Sequence, residues 1–268
     1  MAGDGSYRAA GAAGVESETE RLRRQAAAIW TREREALGRI GLAPGQRLLD
    51  LGCGPGGMLD RLAPDLGRAP FGADLNQGLL RNAPAGRVVR ADGARLPFQA
   101  GVFDFVLIRL VLRHTPAREQ LIHEAARVLR AGGILCTVDV DEAATAFDPE
   151  PSSWPALKAA LAASAVRRGG DPIMGRKLHR LLVAAGLVDV TTVGLPVSSD
   201  DLPPPAFVET MLAPAARQID ADLLDGPAVR RGWDDLRAWA TDGGGFGYAL
   251  GWMAGARKPD DWDTRARP

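Results

Sequence analysis

The sequence predicts an α/β protein built on a mostly parallel sheet, and three observations carry the prediction. An apolar run, Arg47-Leu48-Leu49-Asp50-Leu51, is short enough for a buried strand. It passes into Gly52-Cys53-Gly54-Pro55-Gly56-Gly57 and then into Met58-Leu59-Asp60-Arg61-Leu62, whose apolar spacing is helical. A second short strand, Ala69 to Asp74, ends in an acid twenty residues beyond Gly54, the spacing of a βαβ unit. At 268 residues the chain can bury a full core, and one domain with insertions fits better than two independent domains.

In chain order, residues 1–14 are rich in Gly and Ala, and Ser17-Glu18-Thr19-Glu20 fits a capping box. Leu22, Ala26, Ile29, Trp30, Leu37 and Ile40 then share one stripe, which predicts a helix over 17–39. The glycine turn that follows lets a ligand approach the backbone, with the first helical N–H groups facing it. Asp50 stands at the end of the strand, where dinucleotide enzymes usually carry an apolar residue, and predicts a cationic ligand group nearby. Arg87 to Asp92 reads as the third strand, and Gly101 to His114 contains the fourth. Asp104 starts that fourth strand and is expected to receive backbone N–H groups, whereas Arg109 lies near its C-terminal end, where ligands bind in open parallel sheets. Thr115-Pro116 is a helix start. Leu121, Ile122, Ala125, Val128 and Leu129 give the next helix its apolar face, ended by Gly132-Gly133, and the fifth strand is expected over 134–140. His123 and His179 fall within amphipathic helices as surface or packing residues.

Beyond residue 140 the composition changes. Pro149, Pro151 and Pro155 surround Trp154 ahead of a helix over 156–166, then Leu178, Leu181, Leu182 and Ala185 mark a packing helix before a strand at 187–193. Residues 196–242 leave the core again, and Phe246 to Ala256 alternates bulky with mostly small residues as a last strand. The expected organisation is an N-terminal helical lid over 1–39, a cofactor-binding core over 40–140, a helical insertion over 141–170, a core helix and strand over 171–195, a second helical insertion over 196–242, and the last core strand with a tail over 243–268. Asp139, Asp141 and Glu142 invite a metal reading, but they come from one local segment, and no metal is expected.

Leu49 to Gly56 resembles the first motif of class I S-adenosylmethionine (SAM) dependent methyltransferases, and the stretch from Phe103-Asp104 to His114 resembles the fourth-strand motif of their small-molecule type, including the ubiquinone and menaquinone group. The resemblance is strongest over residues 44–140. It implies a Rossmann-like, seven-stranded, mostly parallel sheet with helices on both faces, a reversed last strand beside the fifth, and a helical lid. It also implies SAM as cofactor. Gly52, Gly54 and Gly56 would then hold its methionine part, with Asp50 near the sulfonium and ammonium groups. Asp74 would take the ribose hydroxyls with Leu75 beside it, Asp92 the adenine amine, and the following Gly93 N–H a ring nitrogen. Arg109 is counted among the cofactor contacts, as are Gln25 and Tyr7 from the lid. His114 is the candidate catalytic base, useful if the acceptor atom belongs to a hydroxyl or phenol. Other readings stay open: Asp74 as an acid near a helix capped by Asn76, Asp92-Gly93 as a turn-forming pair, and His114 as a loop-fixing side chain.

The implied reaction is methyl transfer to a small acceptor. Trp30, Trp154, Phe207, Met211, Trp233 and Trp239 suggest an apolar or aromatic one, though each could equally be core packing. Lys plus Arg equals Asp plus Glu at 33 each, which argues against wholesale attraction to nucleic acid or membrane. Arg109-Leu110-Val111-Leu112 also stands where nucleic-acid methyltransferases carry an Asn/Asp-Pro-Pro-aromatic motif. Cys53 and Cys136 are poorly placed for a disulfide, no run approaches a membrane span, and no signal peptide is visible, so a cytoplasmic protein is expected. The oligomeric state is left open, a homodimer included. A nicotinamide-dependent oxidoreductase fits the glycine turn poorly, and a non-catalytic SAM-binding scaffold is the remaining rival.

Overall fold

The computed structural model describes residues 12–84, 86–212, 226–243 and 245–262. The expected lid residue Tyr7 lies outside them. Seven strands form one sheet in the order β3-β2-β1-β4-β5-β7-β6: β1 Leu48–Leu51, β2 Phe71–Asp74, β3 Val88–Arg90, β4 Phe103–Arg109, β5 Leu129–Asp148, β6 Val188–Ser198 and β7 Phe246–Arg257. The pairs from β3 to β5 are parallel, and β7 runs antiparallel between β5 and β6. Strand order therefore reverses between β1 and β4, and in open α/β sheets the ligand crevice lies at that point, outside the C-terminal strand ends.

Helices cover both faces. On one face α1 (Ala12–Ile40) and α2 (Gly57–Leu66) pack Ala26, Leu37, Met58 and Leu62 onto Leu48, Phe105, Leu107 and Met253. On the other, α4 (Arg118–Val128) and α6 (Leu178–Ala184) pack Leu121, Ile122, Leu178 and Leu182 onto Leu49, Val106 and Ile108. The short α3 (Gln77–Leu80) follows β2, and Asn76 caps it, accepting from the N–H groups of Gly78 (2.9 Å) and Leu79 (3.3 Å). No helix among the described residues is long and apolar enough to cross a membrane.

Four expectations are corrected. Helix α1 already includes Ala12, the first described residue, so Ser17 lies inside the helix and not at its start; Ala12, Ala13 and Glu16 are good helix formers that carry the turn upstream. The fifth strand is far longer than 134–140: it starts at Leu129 and reaches Asp148, so residues 141–148 belong to the sheet rather than to a helical insertion. Pairing of Ala146, Phe147 and Asp148 with Tyr248, Gly247 and Phe246 extends it past the parallel part. Gly132-Gly133 does not end a helix; α4 stops at Val128, and the glycines serve a register shift between β4 and β5, where a Cβ at Gly133 would sit 2.9 Å from the Arg130 carbonyl and 3.1 Å from that of Asp104. Pro116 also stands before the helix rather than at its first position, with Thr115 Oγ1 accepting from Ala117 N–H (3.1 Å) and α4 starting at Arg118.

Beyond the C-terminal strand ends a second core forms. Helices α5 (Trp154–Arg167), α7 (Pro204–Phe207, continued by a π-helical turn Val208–Leu212) and α8 (Pro227–Thr241) pack on the extended ends of β5, β6 and β7. Phe147 is its centre, with edge-on contacts to Trp154 and Trp239, both 4.9 Å between centroids, and to Phe207 at 6.3 Å. Trp154, Phe207, Trp233 and Trp239 are thus mutually buried as the core of a cap.

Candidate active site

The glycine turn is held in shape by backbone and by one acid. Gly52, Gly54 and Gly56 all have positive φ, 83°, 51° and 80°, the left-handed region that favours glycine. A methyl group at Gly52 would fall inside Val111 Cγ2, and one at Gly56 would lie 2.5 Å from Pro84 Cδ. Gly52 and Cys53 donate to the Ala73 carbonyl (2.7 and 3.2 Å), and Gly54 donates to Asp74 Oδ2 (2.8 Å). Asp74 Oδ1 accepts from Asn76 N–H at 2.7 Å. The acid at the end of β2 therefore closes the turn at the end of β1.

Helix α1 runs over this turn. Leu22 Cδ1 lies 3.9 Å from where a Gly54 Cβ would be, and Arg23 and Ala26 lie against Gly57. Arg23 donates to the Asn82 carbonyl (3.0 Å) and Asn82 donates to Thr19 Oγ1 (3.1 Å), tying the helix to the segment after α3. Gln25 uses its side-chain oxygen locally, accepting from Arg21 (3.2 Å), which also holds Glu18. The N-terminal half of α1 is thus a cover for the turn, while its C-terminal half is a core helix.

Carboxylates gather beneath it. Asp50 is buried, and burial pushes its carboxyl up to about 7; the Arg109 guanidinium opposes the shift, and Asp74 and Glu33 add to it. Burial also raises Asp74, against the backbone N–H groups that favour its charge. Arg109 ends β4 and donates through Nε to Glu33 Oε1 of α1 at 2.8 Å. The next residue, Leu110, has φ 58°, a backbone conformation rare for a leucine, and donates to the Val138 carbonyl (2.8 Å). The sequence reading missed Glu33. Its signal was a single acid at the position of the α1 stripe between Ile29-Trp30 and Leu37 where an apolar residue belongs.

The remaining candidates occupy the rim. Leu75 is 49% exposed beside Asp74. Asp92 forms a local turn: its Oδ1 accepts from Ala94 N–H (3.0 Å), its carbonyl from Arg95 N–H (2.9 Å). Gly93 lies over the core, where a Cβ would meet Leu121 Cγ at 3.1 Å.

His114 ends the 3-10 turn Leu112–His114, which Asp139 fixes by accepting Arg113 N–H (2.9 Å) on Oδ2. Burial, with Arg113, Arg168 and Arg21 in electrostatic reach, lowers the imidazole to about 3, so it is neutral across the physiological range. The Asp139 carboxyl is itself pushed up to about 7 by burial, against the neighbouring Arg113 charge. Glu142 pairs with Arg113, and Asp141 holds Arg176 by two hydrogen bonds (2.5 and 2.7 Å). That acidic trio is committed to arginines and backbone, and among the described residues no group of His, Cys, Asp and Glu could hold a metal. Cys53 and Cys136 are free and buried, and Asp104 receives Arg47 N–H (2.7 Å) at the entrance to β4.

Residues 49–137, which hold the glycine turn, the β2 acid and the β4 motif, match the family model described as a methyltransferase domain. Residues 49–137 make up a methyltransferase domain. This methyltransferase domain is 39% identical over 98 residues to a demethylmenaquinone methyltransferase of Mycolicibacterium paratuberculosis, covering 36% of this chain and 42% of that one. The chain spans less than two thirds of the length of the curated relatives it matches, 59% and 42% of two of them. Among solved structures, a Haemonchus contortus phosphoethanolamine N-methyltransferase 2 in complex with phosphomonomethylethanolamine and S-adenosylhomocysteine shares the fold with a TM-score of 0.53 at 20% identity, over 86% of this chain and 53% of that one. The [4+2]-cyclase SpnF shares it with a TM-score of 0.50 at 26% identity, over 83% and 79% of the two chains.

Proposed function

We propose that the protein binds SAM at the crevice between β1 and β4 and transfers its methyl group to a small, apolar or aromatic acceptor. The observation that carries this reading is Asp50, a carboxylate buried at the end of β1 beside a turn of three positive-φ glycines. A buried acid held near neutrality, with Asp74 and Glu33 adding negative potential and Arg109 opposing it, suits a ligand that brings positive charge of its own. The sulfonium and ammonium groups of SAM do so.

In this reading Gly52, Gly54 and Gly56 admit the methionine part to the backbone, and Asp74 offers its remaining lone pairs to the ribose hydroxyls. Leu75, exposed beside Asp74, and the Asp92-Gly93 turn flank the adenine. Gln25 belongs to the part of α1 that covers the turn. SAM supplies an activated methyl group, so the chain's own contribution is orientation and exclusion of water. His114 stays neutral at working pH, and burial with three arginines in reach disfavours its charged form, so in this reading it orients the acceptor by a hydrogen bond and is a poor base for its proton. The apolar character of the acceptor is drawn from the cap, where the partly buried Ile29 of α1 and Met211 pack against the aromatic core.

The experiment is incubation with SAM and a panel of phenols, quinols and small carboxylic acids, with mass spectrometry of both products. Formation of S-adenosylhomocysteine matched one-to-one by a methylated acceptor supports the reading. The relationship to a protein named as a cyclase gives a second reading, in which the same crevice carries another reaction. An acceptor consumed without S-adenosylhomocysteine would establish that one instead.

A further inference from the structure

Glu33 and Arg109 meet between the core half of α1 and the end of β4. Their side chains are 1% and 9% exposed, so this is a buried ion pair. Two such groups would ordinarily satisfy each other as a fork, with two parallel N–H to oxygen bonds. Here a single bond joins them, Nε to Oε1, and the other ends, Glu33 Oε2 and Arg109 Nη2, are buried without a hydrogen-bond partner. Leaving one acceptor and one charged donor unsatisfied inside the protein is costly. A ligand that carries one negative and one positive group a few bonds apart removes both costs at once. Ile108 pairs with Leu51, so Arg109 follows directly beside the end of β1, where the glycine turn begins.

We propose that Glu33 and Arg109 form a receptor for the amino-acid end of the cofactor, Arg109 Nη2 taking its carboxylate and Glu33 Oε2 its ammonium group. The inference rests on the SAM reading of the crevice and assigns to it a residue of the core half of α1. The cofactor thereby completes a contact between α1 and β4 that the protein leaves half made.

The test compares two ligands by calorimetry, S-adenosylhomocysteine and 5′-methylthioadenosine, which share adenosine and sulfur but differ in the amino-acid end. Wild-type protein is expected to bind the first more tightly by about tenfold or more. Glu33→Gln keeps an oxygen for Arg109 Nε but removes the charge; it should weaken S-adenosylhomocysteine by about tenfold and leave methylthioadenosine within about twofold. The double variant Glu33→Leu/Arg109→Leu removes the pair without leaving a buried charge, which keeps the fold intact, and should abolish the preference between the ligands. Equal loss of both ligands, or loss of neither, overturns the proposal. Wild-type protein that binds neither ligand removes the SAM reading itself, and the receptor with it.

Discussion

Asp74 Oδ2 accepts the Gly54 N–H at 2.8 Å across twenty residues of sequence, and its Oδ1 accepts Asn76 N–H, so one carboxylate joins the ends of the first two strands. Asp74→Ala should therefore have two effects. It leaves two backbone donors without an acceptor, costing about 1–3 kcal/mol of stability. It also lowers affinity for S-adenosylhomocysteine, by about tenfold or more for a lost ribose contact. Asp74→Asn, which retains one oxygen acceptor, should recover part of the stability and little of the affinity. Thermal unfolding and calorimetry on the two variants separate the effects.

The turn itself depends on Gly52. Gly52→Ala places a methyl group on Val111 Cγ2 and forces a side chain into φ 83°. The expected loss is about 2–4 kcal/mol, with ligand binding abolished. Val111→Ala in the same chain removes the clash but not the backbone strain, which is worth about 1 kcal/mol. A double-mutant cycle by denaturant unfolding should show positive recovery that stops short of wild type.

Asp50 predicts a pH dependence of the unliganded protein. Its folded-state value of about 7 lies above its ordinary 3.8, so the folded state holds more protons between these limits. Its contribution to stability is present at low pH and is lost as pH rises through 7. Asp50→Asn should flatten that part of the curve and make the unliganded protein more stable than wild type at pH ~8, on the order of 2 kcal/mol, with little difference at pH ~4. The same variant should bind SAM less well. Thermal unfolding of both proteins across the pH range checks the sign.

His114, with its value lowered to about 3, gives no ionisation near neutrality. The rate profile should lack a limb from this residue between about pH 5 and 8. His114→Ala should lower turnover by about tenfold through lost orientation of the acceptor. Turnover within a few-fold of wild type at every pH would end that role.

What could be read from the sequence was what neighbours in the chain decide. The glycine turn, the Asp74 spacing, the Asn76 cap and the reception of Arg47 N–H by Asp104 depend on local geometry or on the regular βαβ repeat, and all are present. The extension of β5 was not legible, because Asp141 to Asp148 is polar and Ala-rich and becomes a strand only through pairing with β7, about a hundred residues away. Glu33 escaped for the same reason: its partner Arg109 lies 76 residues on. The cap aromatics were visible as residues, but their burial against Phe147 follows from where the chain folds back.

The most direct measurement is calorimetric titration of the protein with S-adenosylhomocysteine, with a nicotinamide dinucleotide as control. One-to-one binding in the micromolar range, about −8 kcal/mol, with no heat from the nicotinamide ligand, is the predicted result. Binding of the nicotinamide dinucleotide, or of neither ligand, would contradict the account.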